Sequence, residues 1–199
     1  SLTGEKELAE FLVDEIAAEK KLQKTKNIPL ELDGFSAKLD GSQVIFQKTT
    51  PTESIEIIFN INHSVDSEHQ NDVEQGVGEM KSRPTFDVAL KRSGKTLSFT
   101  CSMVSPTEVQ PSESGYSEFF SDLFTIDEVS LYEGDWKDNK YAVSGEVLDG
   151  TLYDLFMNLL EDKGISNDFV EKISDFSTAY EHSCYINFLE EVKKFAQGN

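Results

Sequence analysis

Two histidines, His63 and His69, flank Asp66 and Glu68, and mixed imidazole and carboxylate donors of this kind hold divalent cations. The spacing fits no zinc pattern, however. Asp66, Glu68 and Asp72 lack the central glycine and closing glutamate of a calcium loop, so the stretch reads as solvated chain. His182 stands beside Glu181 and two residues before Cys184, an imidazole and a thiol of the kind that build a nucleophile pair. On a helix, residues i and i+2 diverge by roughly 200°, and the two side chains cannot share a cleft. No G-x-S-x-G elbow, phosphate loop or G-x-G-x-x-G fingerprint occurs, and Gly76-Val77-Gly78 lies in a polar stretch with no strand before it. Asn62-His63-Ser64 is a glycosylation sequon, relevant only to a secreted chain. Carboxylates are so abundant that some pair must fall close by chance. The residues therefore argue for no enzyme, no metal and no cofactor.

What the chain does carry is charge. Its 199 residues hold 37 acids against 18 bases, a formal −19. No lysine or arginine falls between Lys95 and Lys137, where Glu108, Glu113, Glu118, Asp122, Asp127, Glu128, Glu133 and Asp135 all lie. Such a field repels phosphate backbones and anionic bilayers, which excludes direct nucleic-acid or membrane-surface binding as the expected role. No apolar run approaches the ~20 residues of a membrane helix. The opening SLTGEKELAEFLVDEI has neither a secretory apolar core nor an arginine-rich, acid-poor leader. Cys101 and Cys184 form no CxxC pair and fit a reducing compartment, or at most one long-range bridge, and not a disulfide scaffold.

The elements that must present this charge follow from periodicity. Leu8, Phe11, Leu12, Ile16 and Leu22 recur at helical spacing and predict a helix over 5–26, stopped by Pro29, with a narrow seam-like stripe. From 30 to 144 the period changes to two. Ile55, Ile57, Phe59 and Ile61 show it most clearly, and turns are signalled at Asp40-Gly41 and Ser93-Gly94. Gly34 interrupts the first run as a bulge, and the alternation slips between Ile126 and Val129. Seven strands in successive hairpins predict an antiparallel sheet and an α+β class. Long polar connections cover His63–Pro84 and Ser105–Asp122. Asp149 caps a helix over 149–163 that Gly164 ends, and Ser166 or Asn167 caps another over 167–197. All of it reads as one domain, 1–199.

The opening KELAEFLVDEIAAEKKLQK, the strand IEIIFNIN and the tail from Trp136 to Phe195 resemble the mitochondrial acidic matrix protein family, also called the mitochondrial glycoprotein family. LYD at 152–154, AYEH at 179–182 and YINFLE at 185–190 fall in order within that tail. The resemblance implies a strongly twisted seven-stranded sheet flanked by terminal helices and a doughnut-shaped homotrimer. It implies a precursor cleaved on import into the mitochondrial matrix, without catalysis. It further implies basic partners, RNA-binding and ribosomal proteins among them, and support of mitochondrial translation and oxidative phosphorylation.

Joined to the charge, the resemblance implies a chaperone-like acidic binder. Its candidate partner surface is Asp66, Glu68, Asp72, Glu74, Glu108, Glu113, Glu118, Asp122, Asp127 and Glu128. Leu8, Phe11, Leu12, Ile16, Phe188 and Phe195 are candidates for the helix seam, within or between subunits. The rival classes are an apolar-ligand carrier, since a curved sheet under helices can enclose a pocket, and a structural subunit of a larger assembly.

Overall fold

The computed structural model describes residues 3–62, 64, 81–105 and 121–199. One antiparallel sheet runs in sequence order through eight strands. They are β1 (Glu31–Leu32), β2 (Phe35–Asp40), β3 (Gln43–Thr49), β4 (Ser54–Asn60), β5 (Phe86–Arg92), β6 (Lys95–Met103), β7 (Phe124–Glu133) and β8 (Ala142–Ser144). The expected count of seven is corrected by one, because Leu30–Leu39 is not a single strand bulged at Gly34. Asp33 and Gly34 both take positive φ, 50° and 87°, and Leu32 pairs with Phe35. That is a two-residue hairpin of the type whose twist matches its flanking strands. Ser93-Gly94 repeats it, at 51° and 78° between paired Arg92 and Lys95. At the next signal the turn sits one residue later than read: Asp40 pairs with Gln43, leaving Gly41-Ser42 at the tip. The slip between Ile126 and Val129 is a bulge, with Thr100 opposite Glu128, Cys101 opposite Ile126 and Asp127 extra.

Alternation sends Val44, Phe46, Ile55, Ile57, Phe59, Phe86, Val88 and Phe99 to one buried face. Helices α2 (Gly150–Asp162) and α3 (Asn167–Ala196) cover it. Phe46 meets Phe169 and Phe176 from α3 at centroid distances of 6.3 and 5.0 Å, and Phe99 meets Phe156 from α2 at 5.3 Å. The capping residues act as the sequence indicates. Asp149 accepts from Thr151 and Leu152 backbone N–H groups, Ser166 accepts from Phe169, and Gly164 takes a φ of 97° just past α2.

Helix α1 (Thr3–Leu22) stops four residues short of the expected end. Beyond Leu22 the sequence QKTKN has no apolar side chain to dock, and an undocked turn is not held. Leu12 and Ile16 pack on Leu189 and Val192 as a small cluster apart from the main core.

Glu53, in the β3–β4 turn, ties three elements together. Its carboxylate accepts from Lys163 Nζ at 2.5 Å and Arg92 Nη2 at 2.7 Å, with the Glu53 side chain 8% exposed. Those hydrogen bonds, Lys163 first, hold its carboxyl below the usual range. A carboxyl more acidic in the folded than the unfolded chain adds stability above its unfolded pKa, and that stability is lost as pH falls through the folded value. Glu53→Gln is accordingly expected to cost about 1.5–3 kcal/mol at pH 7. The gap from the parent in thermal melts should close as pH falls through the folded value; a gap unchanged in acid would contradict this assignment.

Candidate binding surface

The β4–β5 and β6–β7 connections leave the sheet at the same end. Phe59 pairs with Phe86, Phe86 with Cys101 and Cys101 with Ile126. Seven of the ten candidate acids, Asp66, Glu68, Asp72, Glu74, Glu108, Glu113 and Glu118, lie outside the described residues, as do His63 and His69. The residues that flank those stretches are described, and α3 holds both sets.

At the first root, Ser64 Oγ donates to the Ile61 carbonyl at 2.7 Å and lies 2.5 Å from Ser82 Oγ, which lies 2.6 Å from Ser177 Oγ. The Ser82 N–H donates to Thr178 Oγ1 at 2.8 Å, Ser174 Oγ donates to the Ser82 carbonyl, and the Arg83 N–H donates to the Ser64 carbonyl at 2.8 Å. Every buried side-chain polar atom among the described residues is satisfied. The chain of hydroxyls thus closes the two ends of the connection on the helix without leaving an orphan. It also occupies the Ser64 hydroxyl that the glycosylation sequon would need.

At the second root, the Val104 N–H donates to the Leu123 carbonyl at 2.8 Å. Asn167 then clamps both neighbours: Leu123 N–H donates to its Oδ1 at 2.9 Å and its Nδ2 donates to the Ser121 carbonyl at 3.0 Å. Asn167 and the Ser174–Thr178 group are separated by roughly 10–16 Å along one helix, at 1.5 Å per residue. The described flanks of both connections are therefore anchored on one helix.

Asp122 adjoins the second root and is exposed, with Glu161 and Asp154 of α2 nearby. Partial burial, then Glu161 and Asp154, push its carboxyl up. Among the described residues no lysine or arginine ion-pairs with these three. Asp127 accepts from the Ser102 and Thr125 hydroxyls, and Glu128 is exposed. Lys81 and Arg83 flank Ser82 at the first root, with Lys81 3.5 Å from Asp175, and further ion pairs lie away from the roots. Lys91 binds Glu56 at 3.4 Å, Lys95 approaches Glu133 at 4.0 Å and Lys172 bridges Asp33 and Asp168 at 3.1 Å each. The β5–β6 hairpin tip, bearing Lys91, Arg92 and Lys95, points away from the acidic roots because strands reverse direction at each turn.

The apolar candidates divide. Leu12 and Ile16 are buried between α1 and α3, whereas Leu8, Phe11, Phe188 and Phe195 are 42%, 61%, 58% and 82% exposed. Ile186 and Leu189, not Phe188, supply the α3 side of the seam. A second exposed group, Leu131, Tyr141, Leu152 and Leu155, lies on the β7–β8 edge and α2. His182 and Cys184 do not meet: the imidazole faces Glu19, and Cys184 interacts with Tyr180. The space between sheet and helices is filled by phenylalanines. Two grooves among the described residues are open surface features, one of about 560 Å3 along Leu30, Ser36 and Lys48 and one of about 460 Å3 between α1 and Ala196. Neither is the enclosed pocket that an apolar carrier uses.

Comparison with known proteins agrees with this anatomy. The profile of the family described as mitochondrial glycoprotein matches residues 12–196. The chain is 35% identical over 208 residues to the human complement component 1 Q subcomponent-binding protein, mitochondrial, covering 98% of this chain and 72% of that protein. It is 31% identical over 196 residues to conserved regulator of innate immunity protein 3 of Caenorhabditis elegans, covering 95% and 82%. In structure it resembles the Trypanosoma brucei p22 protein, with a TM-score of 0.69 at 18% identity over 98% of this chain and 99% of that one. A Leishmania major homologue of human p32 gives 0.70 at 16% identity over 97% and 99%. At those identities the two structures speak for the fold alone.

Proposed function

The chain belongs to the mitochondrial glycoprotein family, and on that premise we propose that it is a non-enzymatic acidic binding protein of the mitochondrial matrix that holds basic partner proteins. The human relative is named for binding, and this chain contributes the means. What supports the reading is the rooting on α3 of two connections whose stretches 65–80 and 106–120 hold acids and no lysine or arginine, with Asp122, Asp154 and Glu161 clustered at the second root. Charges within a Debye length, ~8 Å at physiological salt, add their potentials and steer cationic partners in. Ribosomal and other RNA-binding proteins have the required charge, and the reading places the protein in support of mitochondrial translation and oxidative phosphorylation.

The 1–199 domain is proposed to work as a homotrimer, which would triple the −19 of one chain. The outward apolar faces of the terminal helices and of the β7–β8 edge provide the area that offsets this repulsion.

The test is the rate at which a cationic peptide associates, followed from low to high salt. Asp122→Asn with Asp154→Asn and Glu161→Gln should slow association several-fold at low ionic strength and flatten its salt dependence. The same triple substitution should leave stability unchanged or slightly raised, because like charges are relieved. Association that ignores salt, or a triple variant as fast as the parent, would refute the electrostatic reading.

A further inference from the structure

Helix α1 rests on α3 through few buried side chains, Leu12 and Ile16 against Leu189 and Val192. Most of a helix's stability in a protein comes from the packing of its apolar face rather than from propensity. A modest electrostatic contribution therefore decides how firmly it is held. At this seam His182 Nε2 of α3 lies 2.8 Å from Glu19 Oε2 of α1, with the two side chains only 27% and 20% exposed.

The other charged or titratable groups facing this contact are Glu15 and Lys20 from α1 and Glu181, Cys184, Tyr185 and Glu190 from α3. Lys20 is already paired with Glu190 at 2.7 Å. Two carboxylates, Glu19 and Glu181, thus face one imidazole, with Glu15 close by at Tyr185. We propose that the His182–Glu19 contact is a pH latch: a protonated imidazole clamps α1 to α3 as an ion pair, and a neutral one leaves a single hydrogen bond among neighbouring acids.

Burial pushes the Cys184 thiol and the Tyr185 phenol up, so neither ionises near neutral pH. Burial followed by Glu19 also raises the Glu181 carboxyl, against the opposing pull of His182. Protonation of the imidazole tightens α1 as pH falls. Imidazole is the side chain whose charge changes across this window.

The test is amide hydrogen exchange on the full chain at pH 6 and pH 8, corrected for the intrinsic rate and at one protein concentration. From pH 6 to pH 8 the opening of α1 is expected to increase roughly three- to fivefold, the worth of one partly exposed ion pair. The Asn167–Tyr180 half of α3 should not change. His182→Gln keeps a neutral hydrogen-bonding group and should show α1 equally open at both values; Glu19→Gln should do the same from the other side. An α1 equally protected at both pH values in the parent, or variants that repeat the parent's pH dependence, would overturn the latch.

Discussion

Phe11→Asp is expected to turn the proposed homotrimer into single subunits while leaving the sheet and its covering helices folded. Phe11 is 61% exposed and stands with Leu8 on the outward side of α1, and the ring of Phe188 stacks on Tyr185 at 6.5 Å on the outward side of α3. Phe11 belongs to neither buried cluster of the described residues, so an aspartate there meets water in the isolated chain. In an interface between copies the same carboxylate would be desolvated without a partner, at a cost of several kcal/mol. Each 1.4 kcal/mol is tenfold in a dissociation constant, so a shift of a hundredfold or more is expected. Sedimentation velocity with circular dichroism checks both halves. Leu12→Asp supplies the contrast, since Leu12 is 4% exposed inside the subunit's own seam and its loss should unfasten α1. An intact oligomer carrying Phe11→Asp would remove the terminal helices from the interface and leave the β7–β8 edge to account for it.

Gly145→Ala should be among the most damaging single substitutions in the chain. A Cβ at position 145 would stand 2.0 Å from the Ile126 carbonyl oxygen and 3.0 Å from its carbon, both backbone atoms of β7 that cannot rotate aside. Gly145 begins the 3-10 turn Gly145–Val147 that follows β8, directly beside the β7 bulge. To admit a methyl group the turn must lift. That would strain the short β7–β8 ladder of Glu128–Ser144, Val129–Val143 and Ser130–Ala142 and the Asp149 cap of α2. Overpacking against backbone is expected to cost roughly 3 kcal/mol or more, a fall of about 6–12 °C in melting temperature for a domain of this size. Gly150→Ala is the control: nothing lies within 4 Å of its added Cβ, and it should be neutral or slightly stabilising. Equal melting of Gly145→Ala and the parent would mean that the turn yields without cost.

Those two residues show where reading the chain succeeds and where it stops. The buried face of β4, Ile55, Ile57 and Phe59, is legible because side chains alternate every second residue. The same holds for the bulge beyond Ile126, the capping role of Asp149 and the glycine that ends α2, each set by neighbours within a few positions. The net charge needs only counting. Asp33-Gly34 was legible too, since a turn of positive φ suits Gly and tolerates Asp, but one interrupted strand and two strands present the same residues.

Local order in the chain thus determined the faces, turns, caps and charge of this protein, because those properties depend on spacings of two to four residues. Tertiary structure alone decided that Leu12 is buried while Phe11 beside it is bare, and that Asn167 and Ser177 anchor the roots of two acidic stretches. It decided that His182 meets Glu19 across 163 positions and that Gly145 presses on Ile126. Contacts between distant residues follow from how helices are laid on a sheet, and no short-range period encodes which atoms then touch.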